Sequence, residues 1–357
     1  MTHQPTSLRA ESSSQTSTAA SAAPFPMDVA VGVGSTPLVP LTRIVARRDV
    51  RVLAKLESRN PTGSAKDRSA LGIVRDAWER GLLRPGSVVV ESSSGNLAVA
   101  MARLAALLGF SFECVVDPRV SERSVAAIQA YGARVHRVTV PDAETGDWLI
   151  ARLTRVRDLL ASIPGAITLD QYSNRAAPRA HAEGTMREIL DAVGAPDRLY
   201  VATSTTGTLG GCLSVVESEG LSTRVVAVDA LGSVLFGGTR GTRLLSGYGA
   251  GFVPPLAEGL HPAGVARIDD LTAVLTCRAL ARTEGLLVGP STGAVVAAAL
   301  ADLGALPAGS TVVLLVHDGG MPYVDTVFDD AWICRTFSLS PEELSARIDS
   351  VGEAAPS

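Results

Sequence analysis

The chain has 357 residues, 46% of them hydrophobic and 4% aromatic, with a formal net charge of −4 at pH 7. That length suits two domains, with sizeable cores built mostly from Ala, Val and Leu. The charge balance leaves no basic footprint for nucleic acid, and no run of about 18 apolar residues offers a membrane span.

Residues 1–26 are rich in Ser, Thr, Ala and Gln and nearly empty of large apolar side chains. Such a stretch buries too little to offset its ordering entropy, so a disordered tail is expected. It also lacks the charged and apolar regions of a signal peptide. Cys114, Cys212, Cys277 and Cys334 are far apart, with no CxxC pair and no metal-ligand spacing. They read as scattered thiols of a reducing compartment, so a cytoplasmic protein without a metal is expected.

Order is expected from about Val29 to Val33, and the run Arg51 to Leu56 reads as a strand. Next comes Asn60-Pro61-Thr62-Gly63-Ser64-Ala65-Lys66-Asp67-Arg68. Pro61 and Gly63 break the chain, Ser64 is a good N-cap, and Leu71, Val74 and Trp78 recur at helical spacing, so Lys66 falls in a helix's first turn. The positive end of the helix dipole favours a neutral amine there. A neutral lysine amine is the nucleophile that forms Schiff bases with pyridoxal phosphate or carbonyl substrates. A solvated surface lysine is the competing reading.

Strand and helix then alternate: strand Ser87 to Val90, helix Leu97 to Leu108 closed by Gly109, strand Phe112 to Val116, helix Val125 to Tyr131, strand Val135 to Val140, helix Leu149 to Leu160. The pattern resumes with strand Leu199 to Ala202, a helix from Thr208, strand Val225 to Val228, helices Leu271 to Arg282 and Thr292 to Leu303, and strand Thr311 to Val316. This alternation predicts an α/β protein with parallel sheets and right-handed crossovers. Ser340-Pro341-Glu342-Glu343 starts a last helix with an N-cap, a proline at the first helical position and a capping-box glutamate.

In open α/β sheets ligands bind outside the carboxyl ends of the strands. Besides the Lys66 loop, three loops there are unusually polar. Glu91-Ser92-Ser93-Ser94-Gly95-Asn96 offers hydroxyls, a glycine and an amide at a helix N-terminus, which suits a carboxylate or plain capping. Thr203-Ser204-Thr205-Thr206-Gly207-Thr208 suits a phosphate, or is an ordinary Ser/Thr turn; it is neither a Walker A loop nor GxGxxG. Gly289-Pro290-Ser291-Thr292-Gly293 offers a hydroxyl for a cap or for a ligand ring nitrogen.

In order and spacing, Asn60 to Arg68, Ser93 to Asn96, Gln171-Tyr172, Ser204 to Thr208, Gly247 to Phe252 and Ser291 to Gly293 resemble the cysteine synthase family of fold-type II pyridoxal phosphate (PLP) enzymes, over roughly residues 30 to 335. The resemblance implies a tryptophan synthase β-like fold: two three-layer α/β/α domains with the cofactor in the cleft between them. It implies a larger domain from 27–65 and 172–337, a smaller, mobile domain from 66–171, and a C-terminal helix and tail from 338–357. Lys66 would carry PLP, Asn96 would bond its 3′ oxygen, Ser204, Thr205, Thr206, Gly207 and Thr208 would hold its phosphate, and Ser291 would face its ring nitrogen. Ser93, Ser94, Gly95, Gln171 and Tyr172 would bind the substrate carboxylate. A homodimer is also implied.

The chain departs from ordinary cysteine synthases at Ser92-Ser93, where those carry Pro-Thr, and in a phosphate loop poorer in glycine. Glu91 to Asn96, Ser204 to Leu209, Val228 to Val234 and Glu284 to Gly293 are instead similar to the N-(2-amino-2-carboxyethyl)-L-glutamate synthases. That branch joins O-phospho-L-serine to L-glutamate on the way to 2,3-diaminopropionate, for siderophores or antibiotics. A phosphate leaving group and an acidic acceptor call for arginine near the site, with Arg119, Arg175 and Arg179 as candidates. His181 and His317 read as structural, because Lys66 already supplies the base. Asp318 sits in a loop expected near the cofactor. The rival readings are a cysteine synthase using sulfide and a non-catalytic α/β regulator.

Overall fold

A computed structural model describes residues 24–352 except 94, 145 and 147. The chain runs β1 (Leu38–Pro40), β2 (Arg51–Leu56), α1 (Lys66–Glu79), β3 (Val88–Ser92), α2 (Asn96–Leu108), β4 (Ser111–Val116), α3 (Glu122–Ala130), β5 (Arg134–Arg137) and α4 (Trp148–Ser162). It continues through α5 (Ala176–Ala180), a π-helical turn (His181–Met186), α6 (Arg187–Val193), β6 (Arg198–Ala202), α7 (Gly207–Ser218), β7 (Arg224–Ala230) and β8 (Gly264–Ile268). Last come α8 (Asp270–Glu284), α9 (Pro290–Asp302), β9 (Thr311–Val316), α10 (Asp330–Phe337) and α11 (Pro341–Asp349).

One sheet has the order β1-β2-β9-β6-β7-β8 and the other β3-β4-β5. Every pairing is parallel except β1 on β2, so the first strand departs from the all-parallel expectation. A three-residue strand that reaches β2 through a loop can turn back on it, which a helical crossover cannot do. Parallel strands buried on both faces need apolar residues at successive positions, and β9 supplies them. Val312, Leu314 and Val316 pack beneath α8, α9 and α11, whereas Val313 and Leu315 pack on the face of α6 and α7. The small sheet is likewise covered on both sides, by α1, α2 and α3 on one and by Val156 and Leu159 of α4 on the other.

The packing moves two expected boundaries. Phe25 is buried and meets Trp78 edge-on at 6.1 Å, so order begins before residue 26. Val29 joins it in the small-sheet core, although residues 27–65 were expected with the larger domain. A single aromatic side chain at the end of a polar stretch is enough to anchor it. At the other end, Leu344 and Ile348 of α11 belong to the large-sheet core, with Ser340 and Glu343 forming the expected capping box.

Three elements gave no readable signal. Pro178 and Gly184 interrupt the periodicity of residues 176–193, where the helix widens into its π turn. The edge strand β8 is only half-buried, and α10 has eight residues. Among the described residues, no helix is long and apolar enough to cross a membrane.

Candidate active site

The loops leaving the carboxyl ends of β2, β6 and β9 in one sheet and of β3 in the other meet at one cleft. Lys66 is the first residue of α1. Its N–H donates to Ser64 Oγ at 3.2 Å, so Ser64 caps from one position earlier than expected, with Ala65 at the N-cap. Two bonds stitch this turn to the loop after β9: Ala65 N donates to His317 O at 2.7 Å and Gly319 N to Gly63 O at 3.1 Å. Burial lowers the pKa of Lys66 from the ordinary lysine value, against the opposing charge of Asp318. The helix dipole acts in the same direction as burial.

Two residues further along α1, Arg68 anchors the helix. Its Nε donates to Glu57 at 2.6 Å, and its Nη1 and Nη2 donate to Glu188, each at 2.7 Å. Lys55, whose place in β2 turns it toward α6, donates to the same Glu188 at 2.6 Å. Burial pushes Glu188 up, but its bonds to Arg68 and Lys55 outweigh that and hold it at about 2. Two cations and two anions thus balance in a buried network.

Asp318 is the hub of the cleft. Asn96 Nδ2 donates to it at 2.9 Å, the Tyr323 hydroxyl at 2.7 Å and Ser291 Oγ at 3.5 Å. Burial raises the pKa of Asp318, and these donors together with Lys66 act against that. Gly289 has to be glycine, since a Cβ there would lie 2.0 Å from Asp318 Oδ1. The structure gathers Lys66, Asn96 and Ser291 around Asp318, together with Tyr323, which sequence reasoning missed. The one available signal was its place five residues past Asp318 in the loop after the last sheet strand.

Thr206 takes a left-handed conformation, φ 65°, just before α7, turning the Ser204–Thr208 loop over the free N–H groups of that helix. Behind it, His181 Nε2 lies 3.3 Å from Thr208 Oγ1 and 3.0 Å from Ser69 Oγ, and Nδ1 lies 2.9 Å from Thr185 Oγ1. His181 so ties α1 to α7. Burial, then the charge of Lys66, lowers its pKa well below the usual imidazole range. His317 is pushed down to about 3 by burial and then by Lys66, and its neutral Nε2 accepts from Ala202 N at 3.1 Å. Both imidazoles hold structure.

On the other side of the cleft, Gln171 Nε2 donates to Ser92 O at 2.7 Å, joining Gln171 to the Ser92–Ser93 turn. Gly95 leads that turn into α2, and Ser94 lies outside the described residues. Tyr172 meets Phe252 edge-on at 5.2 Å. Glu91 beneath the turn is pushed up to about 7 by burial and by the charge of Asp170. Of the three candidate arginines, Arg119 is gripped by Asp117 at the end of β4. Arg179 pairs with Asp76, ten residues along α1 from Lys66 and so about 15 Å away. It is removed from the site, because α5 lies along the later turns of α1. Arg175 is exposed where α5 begins.

These residues fit a phosphorylated, ring-bearing cofactor. A desolvated amine, a hydroxyl-rich loop on a helix N-terminus and a polar hub surround one cleft, and Thr292 Oγ1, one residue past Ser291, is buried with no hydrogen-bond partner among the described residues. Fold and site together define a two-domain α/β enzyme of the PLP-dependent kind.

The family model for pyridoxal-phosphate dependent enzymes matches residues 29–318. The chain belongs to that family. It is 42% identical over 304 residues to an N-(2-amino-2-carboxyethyl)-L-glutamate synthase of Ralstonia nicotianae, covering 85% of this chain and 90% of that protein. It is 41% identical over 328 residues to the protein of the same name in Cupriavidus metallidurans, covering 91% and 96%. Among solved structures it is similar to O-ureido-L-serine synthase, with 34% identity, TM-score 0.76 and coverage of 86% and 98%. It is also similar to the O-acetylserine dependent cystathionine beta-synthase of Helicobacter pylori, with 28% identity, TM-score 0.75 and coverage of 84% and 97%.

Proposed function

We propose that the protein joins O-phospho-L-serine to L-glutamate, releasing phosphate and forming N-(2-amino-2-carboxyethyl)-L-glutamate, a step toward 2,3-diaminopropionate. The observation that carries this reading is the 41–42% identity, over most of both chains, to two proteins of that name, set beside a cleft holding Lys66, Asn96 and Ser291 around Asp318.

Bound PLP supplies an attachment point for an amine and an electron sink for the pair left at the α-carbon. Lys66 attaches the cofactor and, as a neutral amine, takes the α-proton. The Ser204–Thr208 loop holds the cofactor phosphate, Asn96 its ring oxygen and Ser291 its ring nitrogen. Ser93, Ser94, Gly95 and Gln171, with Tyr172 beside them, hold the donor carboxylate. The donor's Cβ–O bond breaks and phosphate departs; the glutamate amine then forms the Cβ–N bond, loses a proton, and Lys66 returns a proton to Cα. The cofactor would sit between the domains, held by Lys66 and Asn96 on one side and by the Ser204–Thr208 loop and Ser291 on the other, and residues 66–171 move to close over the donor. The enzyme works in the cytoplasm as a homodimer, which sedimentation of the purified protein tests.

The test of the reaction is the visible spectrum of the purified holoenzyme. O-phospho-L-serine should shift the cofactor band, and L-glutamate should restore it with release of the new amine. Restoration by sulfide and not by glutamate would make the protein a cysteine synthase instead.

A further inference from the structure

Asp318 is buried at the cleft, and the reaction above gives it no task. Its backbone is pinned from two sides. Asp318 O accepts from Gly289 N at 3.1 Å, and a bridge pairs Asp318 with Ser64, two residues before Lys66. The side chain is confined as well: Tyr323 donates to Oδ2 at 2.7 Å, and Oδ1 lies against Gly289, where there is no room for a Cβ. Asn96 stands on the opposite wall, as the first residue of α2 in the small-sheet domain. Its amide bonds across the cleft, from Nδ2 to Asp318 Oδ2 at 2.9 Å. Asp318 is the fixed member of that pair, and Asn96 is the one that has to be held.

A carboxamide can present either end. Its oxygen only accepts, its nitrogen carries two N–H donors, and the two ends differ little in shape. At the cofactor's ring oxygen the choice matters, because an N–H favours negative charge on that oxygen and a carbonyl opposes it. Among the described residues the Asn96 amide has no other hydrogen bond to decide the choice. Asp318 decides it. An ionised carboxylate only accepts, so the amide nitrogen must face it, and the second N–H of that nitrogen is left for a ligand. Burial opposes the charge of Asp318, while Tyr323, Asn96, Lys66 and Ser291 favour it. Each side chain hydrogen-bonded to it can serve as a donor.

We propose that Asp318 is a positioning residue: held by Tyr323, it orients the Asn96 amide so that an N–H faces the ring oxygen of the cofactor. It acts through Asn96 and exchanges no proton with the substrate. The proposal rests on the reading of the site in which Lys66 attaches PLP and Asn96 meets its ring oxygen.

The test is a double-mutant cycle on the holoenzyme without substrate, read from the visible spectrum. Lysine-bound PLP absorbs at longer wavelength when its ring oxygen is ionised than when that oxygen carries the proton, so the ratio of the two bands reports the donor at that oxygen. Asp318→Asn, whose own N–H can turn the Asn96 amide around, should lower the ratio about tenfold, the factor that a hydrogen bond to a charged group is worth. Asn96→Ala should lower it as much, and in that background Asp318→Asn should change it by less than about twofold. Tyr323→Phe should lower it in the same direction and by less. Loss of packing alone would lower stability without moving the ratio. Should Asp318→Asn fail to fold or to take up PLP, Tyr323→Phe with and without Asn96→Ala carries the cycle. Equal effects of Asp318→Asn with and without Asn96, or no effect at all, would overturn the proposal. An Asn96→Ala protein with an unchanged spectrum would overturn it together with the place given to Asn96. A holoenzyme that shows these shifts but is inert to O-phospho-L-serine and L-glutamate would sink the proposed reaction and leave Asp318 its role.

Discussion

Two groups of charged side chains flank the cleft, one behind Lys66 and one in front of it. Behind it, Lys55 and Arg68 meet Glu57 and Glu188, all hydrogen-bonded, with Lys55, Arg68 and Glu57 almost wholly buried. In front, Arg119 is ion-paired with Asp117 at the end of β4, and Arg243 lies half-buried among the charges of Asp229, Arg119, Asp270 and Arg240. The first group joins β2, α1 and α6 into one piece and leaves no charge over for a ligand. The second mixes both signs of charge on loops and ties no two packed elements together. Charge that is buried and fully hydrogen-bonded holds the frame of this molecule, and charge carried on loops lies at the cleft.

The sharpest break in that comparison comes at Lys66, which lies between the groups. Lys66→Ala should remove the lysine-bound cofactor band and lower turnover by about a thousandfold or more, while urea unfolding of the apo-protein changes little. Next is the frame itself. Glu57→Ala leaves Arg68 short of a partner in the interior, so unfolding in urea should show a loss of about 3–5 kcal/mol. Arg243→Gln, in the loop group, should change stability by less than about 1 kcal/mol.

Glu91 offers a third measurement. Its folded pKa stands at about 7 against an ordinary 4.5. Between those two values the folded chain binds more protons there than the unfolded chain does, so Glu91 makes stability fall as pH rises through that window. Glu91→Gln should flatten this slope and stabilise the protein above about pH 7, by up to about 3 kcal/mol for a shift of that size. Unfolding of both proteins at about pH 5 and about pH 8 checks it. The smallest effect is expected furthest from the cleft: Ser340→Ala breaks the α11 capping box and should cost about 1 kcal/mol in the same assay.

The alternation of strands and helices outside residues 176–193, β8 and α10, the helix starting at Lys66, the turn at Gly109 and the capping box at Ser340 were legible in the chain. Each depends on neighbours within a few positions: an apolar period, a breaking proline, a glycine free to take positive φ, a serine with a glutamate three residues on. The four polar loops could also be found, because a parallel sheet puts all its strand-to-helix loops at one edge. What the sequence could not give is which side chain meets which. Asn96 and Asp318 are 222 positions apart, and Arg68 and Glu188 are 120 apart. Lys55 reads as an interruption in an apolar strand until α6 brings Glu188 to it. Periodicity reports which face of an element is buried; only the packing of one sheet edge against the other decides what that face meets.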